Sequence, residues 1–593
     1  MKSIHWFALI GALVVAAGLK LGLVASGRVP FNADEAMVAL MARHILLGER
    51  PIFFYGQAYM GSLDAYLVAA GFSGFGEQVW VIRAIQTILY LGTLVTTAFV
   101  GRSAWGGWCA GVLAAWFLAI PCVNMTLYTT ASLGGYGEML LIGNGILLLT
   151  LRIANNINNK ESKIQGWSWL GLGFLSGLGL WTFGLTLVYS LPALVFLAVI
   201  VWRRISSRIR GHELASLALP CTLLVMGFLA GALPWWIYAL QNGFGELLGE
   251  LSGSAIAGVE NASMLALITQ HLFNLILFGG TVIAGLRPPW GVEWLARPLL
   301  PIALAFWIGV MVFILANLRK RTSPPIPVDL STRQVGESKQ HRRAISDSFF
   351  SQLGISQNHK QTKRYSNFQP RIQDSILLLS GVGLTLVLGF IVTPFGADPS
   401  GRYFLPLSVI LALFAALAVS RLQEVYNRWA WGVVVLVLTF NLWGTLQAAD
   451  HFPPGLTTQF DAETRLDHRH DPALIDFLED QGERRGYATY WISYPLAFQS
   501  EERLIFTPRL PYHRDFRYTP RDDRYLPYSQ EVAAADKVAY ITGNQPSLER
   551  SIREGLAGLG VSWQEKVIGD YHIFYRLSQP VKPEVLGLGG QID

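Results

Sequence analysis

The chain has 593 residues, 52% of them hydrophobic and only 15% charged. A soluble chain of this length carries about 25% charged residues, so the composition excludes a soluble globular protein and points to a polytopic membrane protein. The formal net charge of +6 is no argument for nucleic acid, because the basic residues fall in loops between apolar runs, where membrane topology accounts for them.

Eleven apolar runs have about the length that crosses a hydrocarbon core: residues 6–26, 79–100, 108–125, 138–153, 167–185, 187–202, 215–240, 298–318, 375–393, 403–419 and 429–446. The first is long for a signal peptide and reads as an uncleaved anchor. Between the first and second lies a loop, residues 27–78, with two semi-polar helical patterns separated by Gly48, Pro51 and the run Phe53-Phe54-Tyr55. Neither pattern is apolar enough to span; both read as amphipathic helices lying at the membrane surface, one face in lipid and one in water. A further stretch, residues 268–286, carries His271 and Asn274 and ends in Arg287-Pro288-Pro289. Residues 319–373 are basic, rich in Ser and Gln and without apolar periodicity, and read as a disordered insert.

Lys and Arg gather after the fourth, sixth, eighth and tenth runs, as at Arg203, Arg204, Arg421 and Arg428. The positive-inside rule makes those loops and the N-terminus cytoplasmic. Loops 27–78, 127–137 and 394–402 and the C-terminus are then outside, provided residues 268–286 do not cross. The expected organisation is an α-helical membrane domain, residues 1–450, in the plasma (inner) membrane, with a small extracytoplasmic α/β domain, residues 451–593. In that domain residues 471–483 and 547–556 read as helices, the first with Asp471 as cap and Pro472 in its first turn. Residues 487–493, 537–542 and 571–577 read as strands. The three cysteines, Cys109, Cys122 and Cys221, sit in apolar runs and suggest no disulfide framework.

Candidate chemistry lies in the three outer loops. Asp34 and Glu35 stand just outside the bilayer, where a carboxylate takes a proton from an acceptor hydroxyl as general base or holds a divalent metal, Mg or Mn, against a phosphate; a solvated acidic pair opening a helix is the structural alternative. The second loop, Gly134-Gly135-Tyr136-Gly137-Glu138, offers an acid to meet Asp34 across one cavity, or a tight turn with a helix-start Glu. The third offers Arg402 and Tyr403, either a grip on a lipid phosphate or an interfacial anchor. His44 and His271 have no partners at metal-ligand spacing. Tyr490, Trp491 and Tyr494 read as packing or interface residues within reach of the site's mouth.

These loops resemble the GT-C superfamily of membrane glycosyltransferases, especially the branch with protein O-mannosyltransferases and the lipid A aminoarabinose transferase. The resemblance rests on Asp34-Glu35, the Gly56-Gln57-Ala58-Tyr59-Met60-Gly61-Ser62-Leu63-Asp64-Ala65 stretch, Gly134 to Glu138, and Arg402-Tyr403-Phe404-Leu405-Pro406. It implies a polyprenyl-phosphate sugar donor, a lipid, glycan or protein acceptor, Asp34 as catalytic base, Glu35 in support and Glu138 as the second-loop acid. Some members contact the phosphate through a first-loop lysine; here Glu49-Arg50-Pro51 and Gln57 stand in that region, leaving Arg402, Tyr403, Arg50 and Arg83 as candidates. Tyr55, Gln57, Tyr59, Asp64 and Tyr136 are the expected cavity residues. The implied reaction is an inverting sugar transfer at the outer face. The competing readings are a non-catalytic flippase or transporter of a lipid-linked sugar and a surface polysaccharide polymerase or ligase.

Overall fold

The structure, a computed structural model, describes residues 3–158, 166–206, 212–251, 264–322, 372–426, 428–451, 455–460, 464–512, 516 and 519–588. Nearly all of the insert expected to be disordered lies outside the described residues. Among those described, nine helices are long and apolar enough to cross a membrane, and the bent pair Ala218–Gly231 and Leu233–Asn242, 64° apart, makes a tenth. The chain is an integral membrane protein, mostly helical, with a small sheet near its C-terminus.

Two expected spans come out short. Residues 108–125 break into Trp108–Ala119 and Val123–Tyr128, because Pro121 lacks the N–H that would continue the ladder. The run near 167–185 forms Gly166–Thr182, 17 residues. Residues 268–286 fall mostly in one apolar helix, Met264–Ile283, with a π-turn at Asn274–Gly279; it is one of the nine long enough to cross, where the sequence reading favours a segment that does not cross. Its polar side chains serve residues 391–401: His271 Nδ1 is 2.8 Å from the Ile391 carbonyl and Asn274 Nδ2 donates to Gly396 at 2.9 Å. Val282 packs against Gly401, so the middle and far end of this segment touch the same loop.

The first outer loop departs from its expected surface position. Its first helix, Ala33–Leu46, is capped by Asn32, whose Oδ1 accepts from the Glu35 amide at 3.0 Å. Twelve of its residues are buried, so neither lipid nor water covers a face. Ala36, Ala39 and Ala42, spaced three apart, lie along one flank of the helix and leave room for a neighbour there. Helix Leu63–Phe75 packs on one flank and helix Tyr490–Gln499 of the C-terminal domain on another. A hairpin, β1 (Phe53–Phe54) and β2 (Gln57–Gly61), joins the two loop helices.

The C-terminal domain is built on five strands, β3 (Arg485–Ala488), β4 (Ile505–Thr507), β5 (Ala539–Gly543), β6 (Gln564–Ile568) and β7 (Tyr571–Tyr575), in the order β4-β3-β5-β7-β6. The β3 pairings are parallel and the β7 pairings antiparallel. The expected strand at 487–493 ends at Ala488; Tyr490–Gln499 is a helix. An aromatic-rich run suits either state, and packing against Ala33–Leu46 favours the helix. Helix Asp471–Gln481 begins one residue earlier than expected, with His470 as its cap and Asp471 inside it. That carboxylate is a buried acceptor for the Tyr571 hydroxyl and, at 2.8 Å, for Gln499 Nε2.

Candidate active site

Adjacent residues on a helix point about 100° apart, and at Asp34-Glu35 this separates two roles. Glu35 turns inward and is fully buried. It takes a two-pronged ion pair from Arg83, Nε to Oε1 at 3.1 Å and Nη2 to Oε2 at 2.9 Å. Asp34 turns to a cavity and keeps 26% of its side chain exposed. Tyr490 donates its hydroxyl to Oδ1 at 2.6 Å, while Thr458 donates to Oδ2 at 3.3 Å and itself accepts from Asn32 Nδ2 at 3.2 Å. One carboxylate oxygen is thus firmly held and the other only loosely engaged.

The cavity holds about 340 Å³ and lies between the two domains. From the membrane domain Phe54, Gln57, Tyr59, Tyr136, Asp398 and Arg402 line it. From the C-terminal domain come Thr458, Phe460, Tyr490, Trp491, and then Tyr512, Asp522 and Arg524. The turn that presents Tyr136 needs glycine: Gly134 and Gly135 have φ of +87° and +80°, a region other residues rarely adopt.

Two guanidinium groups face this space. Arg402 pairs with Asp398 at 2.6 Å and lies over the Tyr403 ring at 4.9 Å. Arg524 sits 3.8 Å from Asp34 Oδ1 and lies over the rings of Tyr490 and Phe54, at 4.9 and 5.7 Å. With its amide oxygen turned inward, Gln57 accepts from both Arg524 Nη atoms, at 3.1 and 3.2 Å. Gly56 makes room for this arginine, since a Cβ there would lie 3.3 Å from Arg524 Cα.

Electrostatics follow from burial. Removal from water pushes the Asp522 carboxyl up to about 7, against the opposing pull of Arg524 and a hydrogen bond from Tyr512. Burial likewise raises the Tyr490 hydroxyl, and Asp34 raises it further. Burial works against the charge of Arg524, but Tyr490 and Asp34 outweigh it and hold the group above its ordinary value.

Of the residues expected at the site, Asp34, Gln57, Tyr59, Tyr136 and Arg402 meet on this one cavity, with Tyr403 beneath Arg402. The others do not reach it. Glu138 does not meet Asp34; it lies in the first turn of its helix facing Asp64, and both are buried. Asp64 in turn accepts from Gln86 at 2.9 Å and Ser132 at 2.5 Å. Burial raises its carboxyl despite the bonds from Ser132 and Glu138. Arg83 is consumed by Glu35. Arg50 donates to the main-chain carbonyls of Ile45 and Glu49 at 3.1 and 2.7 Å. Tyr55 bonds Glu49 and stacks on Tyr525, with centroids 4.8 Å apart. Asp398, Thr458, Tyr512, Asp522 and Arg524 were not foreseen. The only signal for the last two was the dense charged and aromatic stretch Pro520-Arg521-Asp522-Asp523-Arg524-Tyr525.

The donor set does not fit the divalent metal considered above. Among the described residues no three His, Cys, Asp or Glu side chains come together to hold an ion. The carboxylates of Asp34 and Asp398 are already engaged by a hydroxyl or a guanidinium.

No family model matches the chain, and no curated protein matches it by sequence. Solved structures do share its fold. ArnT from Cupriavidus metallidurans bound to undecaprenyl phosphate superposes with a TM-score of 0.53 at 12% identity, over 97% of this chain and 99% of that one. The apo state of the same protein gives 0.51 at 10% identity, over 95% and 98%. The apo Archaeoglobus fulgidus oligosaccharyltransferase gives 0.50 at 14% identity, over 92% of this chain and 70% of that one. Both neighbours are GT-C superfamily members, and this chain has the GT-C fold along nearly its whole length.

Proposed function

We propose that the protein is a glycosyltransferase that moves a sugar from a polyprenyl-phosphate donor to an acceptor hydroxyl at the outer face of the membrane. One observation carries the reading: a single cavity brings a carboxylate with a loosely engaged oxygen, Asp34, together with two guanidinium groups, Arg402 and Arg524. The fold it shares with a structure bound to undecaprenyl phosphate supports the donor class.

In this mechanism Asp34 Oδ2 takes the acceptor's hydroxyl proton. The acceptor oxygen forms its bond to the anomeric carbon as the bond from that carbon to the phosphate oxygen breaks. The electron pair leaves with the lipid phosphate, whose charge Arg402 and Arg524 offset with paired hydrogen bonds. A phosphate is already a good leaving group, so one base suffices and direct displacement inverts the anomeric centre. Tyr490 fixes the base through Oδ1. The topology follows the basic loops, with the C-terminal domain outside.

The test is turnover by purified protein in lipid with a panel of polyprenyl-phosphate monosaccharides. Release of free polyprenyl phosphate from one donor is the expected result. Binding of donors with no release from any of them would support a carrier instead.

A further inference from the structure

The two walls of the cavity are chemically unlike. The membrane-domain wall offers Gln57, Tyr59, Tyr136 and Arg402, groups suited to a sugar phosphate. The C-terminal wall offers an aromatic face with a carboxylate at its edge. Trp491 stands edge to face with both Tyr512 and Tyr490, with ring centroids 6.2 and 5.2 Å away. Asp522 accepts from the Tyr512 hydroxyl and lies beside Arg524. Rings of this kind pack against the C–H face of a pyranose. A carboxyl group at their edge exchanges hydrogen bonds with neighbouring sugar hydroxyls, accepting when ionised and donating when protonated.

The loop that carries Asp522 is pinned at every residue. Arg521 pairs with Glu250 at 2.8 Å. The Tyr494 hydroxyl donates to the Asp522 carbonyl and accepts from the Arg524 amide, both at 2.8 Å. Asp523 accepts from Ser529 at 2.5 Å, and Tyr525 donates to Glu49 at 2.7 Å. A mere cover would not need each residue fixed; a recognition surface does, because preorganisation removes the ordering cost of binding. None of the described C-terminal lining residues lies in a strand, so this wall has no sheet edge to which an extended peptide could add.

We propose that Trp491, Tyr512 and Asp522 form the acceptor subsite and that the acceptor is a sugar, whose hydroxyl they deliver to Asp34. The proposal rests on the transferase reading above and names its acceptor class.

The test uses full-length protein in lipid nanodiscs. Saturation-transfer NMR follows titration with methyl glycosides of several hexoses, and with a Ser/Thr-containing hexapeptide as the alternative. The wild type is expected to bind at least one glycoside saturably and not the peptide. Asp522→Asn and Trp491→Leu are each expected to weaken that binding at least tenfold, while undecaprenyl phosphate binding stays within twofold and reports an intact fold. Asp522→Glu should recover part of the affinity. A wild type that binds no glycoside, or that binds only the peptide, overturns the proposal. So do variants that bind glycosides as the wild type does. The readout needs no turnover, so it separates the two readings. Glycoside binding at this wall without release from any donor would remove the transferase and keep the sugar subsite. Donor turnover by a protein blind to glycosides would do the reverse.

Discussion

Two neighbouring carboxylates, identical to the eye in sequence, do different work in the folded chain. Asp34 looks into a cavity and Glu35 into a core, and the helical turn between them decides which is which. Glu35 and Arg83 form a fully buried pair, and removing one partner of such a pair costs about 3–5 kcal/mol because the other is left charged and alone. Glu35→Gln is therefore expected to lower thermal stability by that order without changing donor affinity in the folded fraction; thermal unfolding in detergent beside a donor-binding titration checks both. Asp34 and Arg402 were legible as residues of one cavity because each stands beside the end of an apolar run. Glu138 was misplaced by the same reasoning. A position in the first turn of a helix looked like a cavity position, and nothing in the sequence shows that Asp64 occupies the space it faces. Arg524 was invisible for a different reason: it lies nearly five hundred residues along the chain from Asp34, in a loop whose place depends on domain docking.

At the scale of elements, the helix Ala33–Leu46 shows how docking overrides a local pattern. Its semi-polar sequence reads as amphipathic, yet its polar residues meet protein. His44 Nε2 lies 2.9 Å from Glu502, Tyr528 donates to the same carboxylate at 2.5 Å, and Arg43 donates to the Phe498 carbonyl at 3.1 Å. Those contacts clamp the helix to the C-terminal domain and so hold Tyr490 and Arg524 over Asp34. Burial works to raise the Glu502 carboxyl, but the bonds from His44 and Tyr528 outweigh it and hold the group at about 2. A folded value below the ordinary carboxylate range gives stability that is complete above about pH 4.5 and is lost as the pH falls toward 2. Glu502→Gln is expected to cost roughly 1–3 kcal/mol at pH 7 and to flatten that acid loss. Unfolding followed from pH 7 down to pH 3 measures both; a variant with the wild-type acid slope would show that the clamp does not act this way. The helix reading held at Pro546–Gly558, where burial is one-sided, and the strand readings held at Ala539–Gly543 and Tyr571–Tyr575. They failed at Tyr490–Gln499, where aromatic residues are buried on every side.

At the scale of the molecule, the apolar runs and the change of composition near residue 451 made the two-part architecture readable, and the shared fold agrees with it. The composition could not show that the cavity lies between the parts and draws its lining from both. The C-terminal domain is then a component of the proposed site. The outward orientation proposed for it gives a direct prediction. With Cys109, Cys122 and Cys221 replaced by Ala, Glu554→Cys, on an exposed helix position, is expected to react with a membrane-impermeant thiol reagent on intact spheroplasts; labelling only after permeabilisation would invert the topology. The account stands most directly on Asp34 as base. A positioned base is worth about 10²–10⁴ in rate, or roughly 3–5 kcal/mol. The decisive measurement compares wild type with Asp34→Asn for release of polyprenyl phosphate, with donor affinity measured alongside. Turnover that falls a hundredfold or more while donor affinity holds is the predicted result. A variant that turns over like the wild type would contradict the mechanism.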